Sequence, residues 1–525
     1  MAYIEEDRIC SPKGRPALHR SLYFVNPRES APGYHTFEFL REWRIVNAVN
    51  IADLTGPTVA ALLPAGWDVR LCDERVQAVD LNTSASVVGI TGKVSQRQRM
   101  IELSAEFRRR GKLVIIGGPH ASLNPEDMRP HADILVRGEI EEIASTLFND
   151  LARDVWKNEY VGGKPDLKLS PVPRWDLYPR NIALTGQVQT SRGCPFECEF
   201  CDVIQYVGRK QRWKEPSQVI SELETLYARG YRDVFFADDN LTVVRRRARE
   251  LLSALAEWNR SRPAGRMRFS TQVSIDTARD PELLELCSRA GLGTVFIGIE
   301  SANAESLAEV NKRQNLRIDL AAEVSKFVSA GIMVIAGMIV GFDHDGPDIF
   351  EIQSRFISEL PVPLINISLL MAPFATPLYT RMRDEGRLIG DGNVMVGDLL
   401  VTNIRPARMT SEELRFGMRW LLNRIFSPKA FGERVQAFAR IFPRTQATRP
   451  LSFSKAEAAI ARQIASMGTE ELGLIQLLES INRERPELHS RMTYVLLGYA
   501  QTRYALNAGG IWDPNLGRQE MPKAA

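Results

Sequence analysis

Short apolar runs alternate with amphipathic stretches twice along this chain. Between residues 21 and about 150 the β-rich runs are SLYFV (21–25), DVRLCD (68–73), ASVVGIT (85–91), KLVIIGG (112–118) and DILVRGE (133–139). Stretches of helical period, such as Gln96 to Arg110, separate them. This alternation predicts a parallel, doubly wound sheet, whose ligands bind beyond the C-terminal strand ends. The turn signals TGK (91–93) and GGPH (117–120) fall at such ends.

The second series runs QVQT (187–190), DVFFA (233–237), RFSTQV (268–273), TVFIGI (294–299), MVIAGMIV (333–340) and INISLLM (365–371). Ser217 is a candidate cap for one intervening helix, with Val219, Ile220, Leu223, Leu226 and Tyr227 as its apolar stripe. Six strand–helix units predict a partial or complete parallel barrel of the TIM type, with its site at the C-terminal strand ends. After about 400 the strand signals fade, and 410–440 and 453–510 read as helical. The expected fold class is therefore α/β, in five parts. A polar lead (1–20) precedes a Rossmann-like domain (21–151). A linker (152–186) carries Pro165, Pro171, Pro173 and Pro179. A (β/α)6 partial barrel (187–400) and an α-helical C-terminal domain (401–525) follow.

Bulk properties narrow the partners. At 525 residues, 44% hydrophobic and 25% charged, the chain has room for several globular domains. Its net charge of +3 gives no reason to expect nucleic acid. The N-terminus lacks a signal-peptide pattern. The longest apolar stretch, Gly331 to Phe342, is shorter than the roughly 20 residues a membrane helix needs. The expectation is a cytoplasmic protein, not integral to a membrane, with reduced cysteines free for metal or catalysis.

Three of the six cysteines lie in TSRGCPFECEFCD (190–202), as Cys194, Cys198 and Cys201. The CxxxCxxC spacing follows the first strand of the second series, at the end where a barrel works. Three thiolates on one loop can hold three corners of an iron–sulfur cube and leave one iron open. Zinc is the rival metal, although it favours paired CxxC elements or histidine partners. Three buried core cysteines are the bland alternative. Arg192 and Gly193 fit a tight basic turn beside an anionic cluster. Cys10 lies in the polar lead; Cys72 and Cys287 read as small core residues, and Arg245–Arg247 as a solvated helix face.

The cysteine loop, with Phe200 just before its third cysteine, resembles that of the radical S-adenosylmethionine (SAM) superfamily. The resemblance implies that Cys194, Cys198 and Cys201 bind a [4Fe–4S] cluster whose open iron chelates SAM. Reductive cleavage would then yield methionine and a 5′-deoxyadenosyl radical. FFADDN (235–240) and FIGIES (296–301) are similar to the superfamily's SAM-binding strand ends. They make Asp238, Asp239, Asn240, Glu300 and Ser301 candidate SAM ligands, against helix capping or solvated strand ends. GMIVGF (337–342) resembles the glycine-bearing strand beside adenine.

VVGITGKVSQRQRM (87–100), IIGGPHAS (115–122) and ILVRGEIEE (134–142) together resemble the cobalamin-binding domain that precedes many radical SAM barrels. The residues implied are Thr91, Gly92, Val94, Gly117, Gly118, Pro119, His120, Gly138 and Glu139. The DxHxxG motif is absent, so cobalt would be bound without a protein histidine. His120 reads as a turn residue bonded to nearby backbone. GRKQRWKEPSQV (208–219) and MAPFATPLYTRMRDEGR (371–387) are similar to a branch with a helical C-terminal domain that includes hopanoid C-2 methylases.

The resemblance implies a methyltransferase that moves a methyl group from methylcobalamin to an unactivated carbon of a small or lipid-like substrate. Such C–H bonds offer no acidic proton, so the cofactors carry the hard step. Flavodoxin or ferredoxin is the expected electron donor. Two other readings stand beside it. One is a non-methylating relative that forms or contracts rings or couples carbons. The other is a cobalamin- or cluster-binding protein without turnover.

Overall fold

The computed structural model describes residues 9–10, 19–262, 265–390, 399–444 and 454–521. Most of the polar lead lies outside the described residues. The chain divides into two compact units. The first holds residues 1–31, 51–195 and 202–231, the second residues 32–50, 196–201 and 232–525.

In the first unit β1 (Ser21–Asn26), β2 (Asp68–Asp73), β3 (Val87–Thr91), β4 (Leu113–Gly117), β5 (Ile134–Arg137) and β6 (Glu159–Val161) form one sheet. Their order is β2-β1-β3-β4-β5-β6, all parallel. Successive side chains leave a strand on opposite faces. Leu22 and Phe24 therefore join Leu113, Ile115 and Phe148 on one side, while Tyr23 and Val25 join Met100, Leu103 and Phe107 on the other. Both faces are covered, as a doubly wound sheet requires. The helix read as Gln96 to Arg110 spans Arg97–Arg109. β6 lies inside the stretch read as a linker, which instead adds an edge strand to the sheet.

The first unit also holds β7 (Ala183–Val188), the chain up to Pro195 and the helix Pro216–Ala228. That helix starts two residues earlier than a cap at Ser217 would place it. Pro216 occupies its first turn, and Glu215 forms a capping box with Gln218.

The second unit carries β8 (Asp233–Phe236), β9 (Arg268–Gln272), β10 (Leu292–Glu300), β11 (Met333–Val340) and β12 (Leu364–Leu369). Each pairs in parallel with the next. Near-continuous apolar runs such as MVIAGMIV are what a sheet buried on both sides demands. Beyond residue 410 the described residues form five α-helices: Ser411–Ile425, Pro428–Ile441, Lys455–Ala465, Thr469–Glu484 and His489–Ala508. Thr410 with Glu413, and Ser454 with Glu457, close capping boxes on two of them. Gly498 allows the last helix to reach β12, since a Cβ there would lie 2.6 Å from Leu364. The fold is α/β, with a doubly wound sheet, a half-barrel parallel sheet and a helical C-terminal region. Among the described residues no helix is long and apolar enough to cross a membrane.

Candidate active site

The cysteine loop begins in a two-residue antiparallel ribbon, Ser191–Arg192 against Arg212–Trp213. Gly193 turns the chain out of it at φ +102°. A Cβ there would lie 2.6 Å from the Lys210 carbonyl, so only glycine fits. The Cys194 N–H then donates to the Gly208 carbonyl at 3.3 Å. Arg192, in the tight basic turn with Gly193, pairs with two carboxylates. It meets Glu139 at 2.5 Å and Glu141 at 2.7 Å, and Arg212 engages the other oxygen of Glu139. Glu139 is 3% exposed and Glu141 2%, so these charges are satisfied by one another rather than by water. Lys214 forms a second buried pair with Glu222. The basic motif at 208–219 thus braces the loop.

Cys198 and Cys201 belong to the second unit, where the Cys201 N–H donates to the Cys198 carbonyl at 3.1 Å. The residues between them are fastened outside the loop. Arg381 Nε and Nη2 grip the Glu199 carboxylate at 2.7 and 2.9 Å. Phe200 packs with Phe342, Leu378 and Met382. Burial alone would raise Asp343, but hydrogen bonds from Arg387 and Arg381 hold its carboxyl below the usual range. Among the described residues no group of three or more His, Cys, Asp or Glu side chains has metal-binding geometry. In the chain the three cysteines lie within eight consecutive residues. Cys72 and Cys287 differ: burial pushes their thiols up to about 11 and about 12, as suits inert core cysteines.

The C-terminal strand ends of the second sheet bury polar groups. Asp238 and Asn240 are buried just beyond β8, with Asp239 half-buried between them. They do not cap the next helix, whose N-cap is Val244. Gln272 donates to the Asp238 carbonyl. At the end of β10 the register shifts between Gly298 and Glu300, and Glu300 takes φ +67°. Its carboxylate folds back over Gly298, where a Cβ would lie 2.2 Å from Oε1, and meets Lys312 Nζ at 2.7 Å. Burial works against the Lys312 charge, yet Glu300, Cys198 and Cys201 together hold its pKa above the ordinary value. Ser301 is fully buried, and its Oγ accepts from the Asn303 N–H and Gln353. Two neighbours were not legible as site residues. Asn315 donates to the Gly298 and Ile299 carbonyls, and Gln314 reaches Cys198 Sγ at 3.9 Å. Asn315 Oδ1 and Gln314 Oε1 are buried without a hydrogen-bond partner among the described residues.

The strand ends of the first sheet are built from close backbone contacts. At Gly118, φ +96°, a Cβ would lie 2.5 Å from Thr91 Oγ1; at Gly138 it would lie 2.2 Å from the Gly162 carbonyl. Gly92 leaves room for Met100 and Gln96, and Gly117 lies against Val136. Val94 begins a single 3₁₀ turn, and Pro119 opens the short helix that holds His120. His120 is tied by its ring, not only through backbone. Its Nε2 lies 2.8 Å from Asp127, and burial lowers its pKa.

A parallel sheet with a three-cysteine loop and acceptor-rich strand ends defines a radical SAM domain. Residues 188–352 match the radical SAM superfamily. Residues 376–498 match a domain of unknown function, DUF4070. An uncharacterized methyltransferase of Synechocystis sp. is 37% identical over 67% of this chain and 66% of its own length. The hopanoid C-2 methylase of Rhodopseudomonas palustris is 35% identical over 64% of this chain and 65% of its own. The chain thus spans just under two thirds of the length of these relatives. The radical SAM methyltransferase TsrM from Kitasatospora setae, solved with cobalamin and a [4Fe–4S] cluster, shares the fold. Its TM-score is 0.56 at 16% identity, over 90% of this chain and 100% of that one.

A radical SAM domain takes a [4Fe–4S] cluster and SAM, and the residues present fit both. The thiols of Cys194, Cys198 and Cys201 suit iron. The unpartnered oxygens of Asn315 and Gln314 suit a ligand rich in N–H and O–H donors.

Proposed function

We propose that the protein is a cobalamin-dependent radical SAM C-methyltransferase acting on a small-molecule substrate. The observation that carries the reading is the CxxxCxxC motif, whose Cys198 Sγ lies 3.9 Å from Gln314 with Glu300 and Asn315 buried in the same unit. When bound, the cluster and cobalamin supply one-electron cleavage of SAM and methyl transfer. The chain's own part is to hold and orient. Cys194, Cys198 and Cys201 bind iron. Asn315 Oδ1 and Gln314 Oε1 accept from SAM, with Asp238, Asp239, Asn240, Glu300 and Ser301 around them. Lys312 keeps a positive charge beside the two thiols and balances the cluster's negative charge.

For cobalamin, Thr91, Gly92, Val94, Gly117, Gly118, Pro119 and Gly138 form the platform, with Glu139 behind it. His120 is engaged by Asp127, which supports binding of cobalt without a histidine. The methyltransferase names of the relatives, and the cobalamin in TsrM, support the same reading. A lipid-like substrate, a flavodoxin or ferredoxin donor and a cytoplasmic setting complete the proposal.

The test is anaerobic purification with cobalamin supplied, followed by iron, sulfide and cobalt analysis. Turnover with methyl-labelled SAM and mass spectrometry of the products then follows. About four irons and one cobalt per chain, with label gained by a carbon, is the expected result. Iron without cobalt overturns methyl transfer; no iron overturns the whole reading. A product lacking the added carbon points to ring formation or coupling instead.

A further inference from the structure

Glu199, the first of the two residues between the last two cysteines, is fastened by all its polar groups. The Glu199 N–H donates to the Val310 carbonyl at 3.1 Å, and its own carbonyl accepts from the Leu378 N–H at 3.2 Å. Its carboxylate receives the Arg381 fork at 2.7 and 2.9 Å. The third guanidinium nitrogen of Arg381 reaches Asp343, just beyond β11, and Arg387 takes the other oxygen of that carboxylate. Leu378 and Arg381 lie on one helix, Pro377–Asp384, at the start of the region matching a domain of unknown function.

We propose that this helix positions the iron-binding loop, with Arg381 acting through Glu199 to fix the Cys198–Cys201 turn. The inference rests on the cluster reading above and gives part of DUF4070 a task. A short loop that must present two thiolates to one cluster gains from rigidity, because ligand geometry has to be held before iron arrives. A bidentate arginine–carboxylate pair fixes direction as well as charge, which a lysine cannot do. The side chains of Glu199 and Arg381 are 13% and 29% exposed, so water screens the pair only in part. Phe200, packed against Phe342, Leu378 and Met382, leaves the turn little freedom.

The experiment measures the rate at which an iron chelator strips the anaerobically reconstituted full-length protein. The forms compared are wild type, Arg381→Lys, Arg381→Gln, Glu199→Gln and Arg387→Gln. Thermal unfolding and the electron paramagnetic resonance spectrum of the reduced cluster are recorded for each. Loss should be about tenfold faster in Arg381→Gln and Glu199→Gln, and clearly faster in Arg381→Lys despite its retained charge. Arg387→Gln, which does not touch Glu199, should stay near wild type. Equal rates in wild type, Arg381→Gln and Glu199→Gln overturn the proposal. So does faster loss that merely follows a lowered unfolding midpoint, with Arg387→Gln behaving alike. If Arg381→Gln fails to fold, the near-isosteric Glu199→Gln decides. A wild type that takes up no iron overturns the cluster reading instead.

Discussion

The segment before Cys194 and the segment between Cys198 and Cys201 are both held by arginine–carboxylate pairs, in different surroundings. Ahead of Cys194, Arg192 and Arg212 converge on Glu139, with side chains 13%, 13% and 3% exposed. Behind it, Arg381 and Arg387 converge on Asp343, with exposures of 29%, 18% and 21%. The chemistry is shared; the solvent is not. A buried pair is costly to break because the surviving charge has nowhere to go, whereas a half-exposed one can turn to water. The first clamp should therefore cost more to break than the second.

Four substitutions probe that contrast. Glu139→Ala leaves two guanidiniums facing each other with little water. It should lose about 3–5 kcal/mol in denaturant unfolding; a loss below that of the rear clamp would reverse the assignment. Asp345 shows what a buried carboxylate does without arginines. Its partners are Ser306 and the N–H groups of Gly341 and Phe342, and burial lifts its pKa to about 6. Its contribution is fully present below the ordinary carboxylate pKa and is lost as pH rises through about 6. Thermal midpoints followed between pH 4 and pH 7 should show Asp345→Asn gaining on wild type, by up to about 3 kcal/mol. Parallel curves would remove the shift.

Arg381→Ala should cost about 1–3 kcal/mol in denaturant unfolding, less than Glu139→Ala. Equal costs would mean that burial is not what separates the clamps. Arg246, whose side chain is 76% exposed in its pair with Glu250, should give no measurable change on replacement by alanine.

The local part of this was legible in the sequence, and the long-range part was not. MVIAGMIV is a strand over all eight of its residues because period and turn signals are carried by neighbours. β6 escaped notice because three residues bounded by Gly162 and Gly163 give too short a pattern. The cysteine spacing identified the loop at once. Glu199 stood in plain view between two of the cysteines, but its partner lies 182 positions away, and no periodicity links them. Asn315 and Gln314 were missed for the same reason: a buried, unpaired oxygen exists only after folding. Glu139 was read from its motif as a cofactor contact, and the arginines that occupy it come from 53 and 73 positions downstream.

Glu300 carries one more consequence. A glutamate at φ +67° sits where glycine would rest without strain, and holding it there costs roughly 1–3 kcal/mol. A library selected for heat resistance alone would reach Glu300→Gly only together with a change that removes the Lys312 charge, discarding the buried pair as a unit. A library selected for turnover would keep it. Sequencing the survivors of the two selections would therefore read out, from genotype counts, what this side chain is worth to the working protein.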